Sequence, residues 1–342
     1  MEELIQFLPP EALMAEYIVS ALSEVVDWGH TFLNVEIAQK HSEGEDIVVA
    51  VLDTGMPNHI DLNGNLLPGL STIGTDIYDH QGHGTHVSGT IAALQNGFGV
   101  IGVAPKCKIL AIKVLDDSGS GSYQSITDGI NLAVENKVDI ISMSLGCPQP
   151  SQQLQDAIQR AFNAGVIIVA AAGNSHGAVD YPAAYPEVIA VSAIDKNGQI
   201  ADFSCRGDAI KAAAPGVDCY STYTNNQYAL LSGTSQATPY ISGVCALLLA
   251  WARKTPTAEQ IHNCQDMLKV LSEVCNSNNV LVKQDYGFGI PDFANYMPWK
   301  TVISTTTVIT TTPTSSSTTT TTVTTTVPPL TSTTPVIPTT NA

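Results

Sequence analysis

Ile47-Val48-Val49-Ala50-Val51-Leu52-Asp53-Thr54-Gly55 is an unbroken apolar run that ends on a carboxylate. A strand covered on both faces reads this way, because neither of its faces meets water. Similar runs recur at 109–115, 138–143, 166–171 and 188–191. Segments of helical period lie between them, at 123–136 and at 152–163, the second with Ser151 as N-cap and Gly165 just past its end. This alternation predicts parallel βαβ units, hence an α/β doubly wound three-layer fold with a mostly parallel central sheet. Ligands bind such sheets at the carboxyl ends of the strands. Polar residues that directly follow the apolar runs are therefore the candidates for chemistry, and Asp53 is the first.

Working outward, Gly82-His83-Gly84-Thr85-His86-Val87-Ser88-Gly89-Thr90 is rich in small residues. They let a helix begin close to other backbone, with His83 in its first turn. Gly233-Thr234-Ser235-Gln236-Ala237-Thr238-Pro239 precedes the apolar stretch 240–251. Pro239 is expected in that helix's first turn, where a missing N–H does no harm. Ser235 then sits at the helix N-terminus, where free N–H groups favour negative charge. Ala170-Ala171-Ala172-Gly173-Asn174 closes another buried run.

These blocks, in the order Asp, His, Ser, resemble the subtilisin family of serine peptidases. The resemblance spans about residues 24–297 and ends at Tyr286-Gly287-Phe288-Gly289-Ile290. It implies a serine endopeptidase in which Ser235 is the nucleophile, His83 the general base and later acid, and Asp53 the group that orients the imidazole. Asn174 would donate its side-chain amide to the oxyanion beside the Ser235 backbone N–H. His86 is expected to be structural. Two other readings remain: a non-catalytic protein-binding module on this scaffold, and a processing protease of narrow specificity.

The same resemblance implies a peptide-binding crevice. Ser144, Leu145 and Gly146 would pair with substrate backbone and wall the pocket for the residue before the cleaved bond. Gly119, Ser120 and Gly121 would form the opposing edge, with Tyr123 over a more distant pocket. Substrates would be extended or unfolded polypeptides held by main-chain hydrogen bonds. Asp180 would lie at the floor of the primary pocket, where many family members carry Gly or Ser, and would favour Lys or Arg there. Tyr240 replaces a frequent histidine. The stretch Leu94-Gln95-Asn96-Gly97-Phe98-Gly99-Val100 resembles the family's calcium loop. Asp61 and Asn96 would offer side-chain oxygens, Leu94, Phe98 and Val100 carbonyls, and Glu24 an N-terminal ligand, a set suited to structural Ca²⁺.

Composition narrows the partners. The chain has 31 acidic against 14 basic residues, so no phosphate-binding surface is expected and nucleic acid is excluded as a partner. No apolar run approaches the ~18 residues of a membrane span. Seven cysteines without a C-x-x-C spacing are read as reduced, buried thiols. Residues 24–298 are expected to form the peptidase domain, and 299–342 a disordered Thr/Ser/Pro-rich tail. Residues 1–23 read as a short leader, broken at Pro9-Pro10 and helical around 11–23. They resemble the N-terminal extension that covers the active site of intracellular subtilisins until it is clipped. With no basic n-region before Lys40, an acidic balance and unpaired cysteines, a cytoplasmic location is expected; the Thr-rich tail alone points to the alternative, an exported protein.

Overall fold

Alternate residues of each central strand enter different cores. Val49, Val51, Ile109, Ala111, Ile140, Ile167, Val169, Ile189 and Val191 belong to one apolar cluster. Ala50, Leu52, Leu110, Ile112, Ile141, Met143, Ile168 and Ala170 belong to another. The period of two along a strand thus divides one sheet's side chains between two helical layers. The computed structural model describes residues 4–6, 16–18, 23–275, 282–296 and 298. The tail expected at 299–342, the Pro9-Pro10 break and most of the leader lie outside the described residues.

In chain order the strands are β1 (Leu4–Gln6), β2 (Glu16–Ile18), β3 (Val48–Asp53), β4 (Leu70–Ser71), β5 (Lys108–Lys113), β6 (Ser120–Ser122), β7 (Ile140–Met143), β8 (Ile167–Ala171), β9 (Ile189–Ile194), β10 (Ile210–Pro215), β11 (Cys219–Tyr223) and β12 (Gln227–Leu231). The helices are α1 (Trp28–Phe32), α2 (Val35–Gln39), α3 (His83–Ala92), α4 (Tyr123–Glu135), α5 (Gln152–Asn163), α6 (Thr234–Lys254), α7 (Cys264–Val274) and α8 (Lys283–Tyr286). Seven strands pair in the order β10-β9-β8-β7-β3-β5-β4, and every neighbouring pair is parallel. Helices α3, α6 and α7 fill the first core, and α4 and α5 the second. This is the doubly wound three-layer fold expected from the sequence.

The chain turns from β3 rightward to β5 and later resumes leftward at β7, so strand order reverses between β3 and β7. That reversal opens a crevice at the strands' carboxyl ends. Asp53 ends β3 and Ser144 follows β7, so both stand at its mouth.

Two local expectations are corrected. The stretch read as helical around 11–23 contains β2, which pairs antiparallel with β12 (Ile18 opposite Tyr228). A strand edge with unpaired backbone groups outweighs a weak local helix preference. Pro239 lies inside α6, not in its first turn, because the helix begins at Thr234.

Candidate active site

The end of β3 and the start of α3 are clamped together. Asp53 lies against the His83 ring, with Nδ1 2.8 Å from Oδ1 and 3.0 Å from Oδ2. Both residues are buried. Burial works against a charged ring, but the Asp53 charge and hydrogen bond, with Asp79 behind them, hold the His83 pKa above its ordinary value. His83 Nε2, buried on the side away from Asp53, has no hydrogen-bond partner among the described residues. His86 is structural: its Nε2 lies against the carbonyls of Cys219 and Ala229, and burial lowers its pKa to about 3.

Asp79 is a residue that sequence reasoning missed. It accepts from the Thr54 hydroxyl, from the N–H groups of Gln81, Gly82 and Thr85, and from the Thr85 hydroxyl. Thr54 in turn accepts from the Gly84 N–H at 2.9 Å. One buried carboxylate thereby locks the loop before α3 to the residue after Asp53. A buried anion of this kind needs several donors.

Ser235 stands in the first turn of α6, where N–H groups have no partner within the helix. Its hydroxyl donates to the Ser144 carbonyl at 3.2 Å. Asn174 follows β8 and Gly173, whose φ of +106° suits glycine alone. The Asn174 Oδ1 accepts from the Thr234 N–H and hydroxyl at 2.8 and 3.0 Å. The amide orientation is therefore set, and Nδ2 remains as an uncommitted donor near Gly233.

The residues expected at the substrate edges also come together. Tyr123, the first residue of α4, donates its hydroxyl to the Gln149 carbonyl at 2.8 Å and lies 3.1 Å from Cys147 Sγ. It thus joins the β6 side to the segment that continues from Ser144, Leu145 and Gly146. Cys147 pairs with Tyr181 through two backbone bonds of 2.9 and 2.8 Å. That pairing carries Asp180 to the glycines: a Cβ at Gly173 would meet the Asp180 Oδ2 at 2.3 Å, and one at Gly146 would meet its Cβ at 3.0 Å. On the far side, Gly121 and Ser120 pair antiparallel with Ile5 and Gln6 of the leader, and Gly119 precedes them at φ +75°.

Comparison with known proteins agrees with this geometry. The Subtilase family model matches residues 44–289. The chain belongs to the subtilase family. Its relatives include a thermostable alkaline protease of Halalkalibacterium halodurans, 49% identical over 233 residues, which are 66% of this chain and 63% of that protein. Subtilisin DY of Bacillus licheniformis is 43% identical over 70% of this chain and 90% of its own length. The minor extracellular protease Epr of Bacillus subtilis is 41% identical over 72% of this chain and 38% of its own. The subtilase domain is thus a serine endopeptidase domain, and polypeptides are its substrates.

The expected cytoplasmic location of this subtilase is overturned by the comparison, since the relatives point to an exported protein and Epr is extracellular by name. Free thiols misled the reading for a physical reason. All seven are buried, and burial pushes Cys107 up to about 12 and Cys264 to about 11. Such thiols carry little reactive thiolate in any compartment.

In the subtilase's loop 94–100, the Asp61 carboxylate accepts from Asn96 Nδ2 at 2.7 Å, the Val100 N–H at 2.8 Å and the Tyr228 hydroxyl at 3.2 Å. Glu24 Oε1 accepts from the N–H groups of Asn96 and Gly97 at 2.8 and 3.0 Å. Val25 is stitched to the same loop through the Gly99 carbonyl at 2.7 Å. Two carboxylates therefore meet one loop, and neither forms an ion pair among the described residues. No group of three His, Cys, Asp or Glu side chains gathers among them either, so a cation here would need carbonyl ligands. A hard cation there would draw on the side-chain oxygens of Asp61, Glu24 and Asn96 together with such carbonyls.

Proposed function

We propose that the protein cleaves extended polypeptides by acyl transfer through Asp53, His83 and Ser235. Ser235 Oγ turns from the Ser144 carbonyl to His83, attacks the peptide carbonyl carbon and gives its proton to Nε2. Asp53 keeps the Nδ1–H tautomer and stabilises the imidazolium. The carbonyl oxygen becomes an oxyanion held by Asn174 Nδ2 and the Ser235 N–H. His83 then protonates the leaving amine, and water, deprotonated by the same ring, releases the acyl group. The observation that carries this reading is the buried Asp53–His83 pair whose Nε2 has no hydrogen-bond partner among the described residues. A fluorophosphonate that labels wild type and spares Ser235→Ala supports it. Labelling that persists in Ser235→Ala, with peptide hydrolysis intact, refutes it and favours a different nucleophile.

Substrate is held between Gly119–Gly121 and Ser144–Gly146, with Tyr123 at the rim. The antiparallel seating of β1 on β6 supports this, because that edge already accepts an extended segment. By the same token the leader competes with substrate until it is removed. Ca²⁺ is the proposed resident of loop 94–100, held by Asp61, Glu24, Asn96 and the carbonyls of Leu94, Phe98 and Val100. Its role is structural, since it ties the segment after the leader to the domain.

A further inference from the structure

The Asp180 carboxylate is partly buried and makes no hydrogen bond or ion pair with any described residue. Its backbone is fixed, donating to the Ala172 carbonyl at 2.9 Å and accepting from the Ala184 N–H at 2.8 Å. Around it stand Gly146 and Gly173, whose lack of side chains makes room for the Asp180 side chain itself. The titratable neighbours are Cys147 on one wall, Cys205 behind Gly173, and Tyr181 and Tyr185 on its own turn. None is a cation. The two basic groups of the adjoining loops are engaged elsewhere: Arg206 faces Asp285 at 3.6 Å, and His176 faces Asp202. A half-buried carboxylate that the protein leaves without a partner is costly unless a ligand supplies one.

We propose that Asp180 is a specificity-determining residue, whose carboxylate pairs with a Lys or Arg side chain immediately before the cleaved bond. This rests on the reading of Ser144–Gly146 as the wall of the substrate pocket. A net charge of −17 acts in the same direction, drawing basic polypeptide segments toward the protein. Burial pushes the Asp180 pKa up to about 6. The carboxylate is charged above that pH and neutral below it, so selectivity for a basic residue is present at pH 8 and fades as pH falls through about 6.

Peptides that differ only in the residue before the cut, Lys against Leu, test this through the ratio of their kcat/KM values. A ratio cancels any loss of His83 function at low pH. At pH 8 the Lys/Leu ratio should fall about tenfold or more in Asp180→Asn, the size expected for a charge-assisted bond. In wild type it should fall between pH 8 and pH 5, and in the variant it should stay flat. An equal ratio in both proteins at pH 8, or a wild-type ratio that ignores pH, overturns the proposal. If Asp180→Asn does not fold, the wild-type pH series decides alone. Ser235 labelling and Leu-peptide hydrolysis that survive a failed ratio test leave the catalytic reading intact. If both are lost, the catalytic reading fails first.

Discussion

Ser144 and Ser235 exchange two hydrogen bonds: the Ser144 hydroxyl donates to the Ser235 carbonyl at 2.7 Å, and the Ser235 hydroxyl donates to the Ser144 carbonyl at 3.2 Å. The first bond replaces one that α6 lacks. Pro239 is four residues beyond Ser235 and has no N–H to offer its carbonyl. A side chain from the end of β7 supplies the donor and fixes the proposed nucleophile's backbone to the sheet. Ser144→Ala should orphan that buried carbonyl, cost about 1–3 kcal/mol of stability and lower kcat. Thermal unfolding and steady-state kinetics check it; an unchanged melting temperature shows that α6 does not depend on the bond.

Thr234 holds the Asn174 amide by two bonds, which leaves Nδ2 available for the proposed role of donor to the oxyanion. Asn174→Ala should lower kcat about 10²–10³-fold with little change in KM, the size found for subtilisin's own oxyanion asparagine. Thr234→Val keeps the shape and removes one of the two bonds, so a loss of about tenfold is expected, from about 1–1.5 kcal/mol of orientation. Equal kcat values for Asn174→Ala and wild type would remove Asn174 from the oxyanion site.

The proposed catalytic residues stand out in the sequence because each lies inside a contiguous block whose neighbours also obey the rule. Asp53 ends an apolar run, and His83 and Ser235 open helices rich in small residues. Asp79 is not legible in this way. In Asp76-Ile77-Tyr78-Asp79-His80-Gln81 it reads as one more turn acid, and the Thr54 that uses it lies 25 positions earlier. The helix start at Thr234 is hidden for a related reason, because the donor that lets Pro239 sit inside α6 comes from 91 positions away. Likewise β2 exists through its pairing with β12, which no local pattern at 11–23 announces.

Asp79 should also set the pH dependence of the enzyme. Burial lowers the His83 pKa, while Asp53 and then Asp79 raise it, with a net upward result. Peptide cleavage needs the uncharged ring, so kcat/KM climbs as pH rises through that pKa. Asp79→Asn removes one of the raising charges, and the acid limb should move to lower pH. A stability loss of at least about 2 kcal/mol should accompany it, since several charge-assisted bonds weaken together. An acid limb that stays in place while stability drops would reduce Asp79 to a purely structural role.

Calcium at loop 94–100 should be worth a measurable part of the stability. An ion present at 100 times its Kd adds about 2.7 kcal/mol to the folded state. In a domain of this size that corresponds to roughly 5 °C. A chelator should lower the melting temperature by that amount in wild type and have no effect on Asp61→Asn, measured with magnesium present as a control. An unchanged wild-type melting temperature rules the site out.

The leader prediction turns on β1. Leu4, Ile5 and Gln6 occupy the β6 edge opposite Ser122, Gly121 and Ser120, the edge proposed for substrate. A tethered segment acts at an effective concentration of about millimolar, enough to exclude substrate at micromolar levels. A chain starting at Ser23 should therefore cleave a peptide substrate about tenfold faster or more, chiefly through KM, because competition leaves the saturated rate alone. Ile5→Pro, which strands tolerate poorly, should give part of the same gain without shortening the chain. Equal KM for the full-length chain, the Ile5→Pro variant and the shortened chain would show that β1 does not guard the crevice.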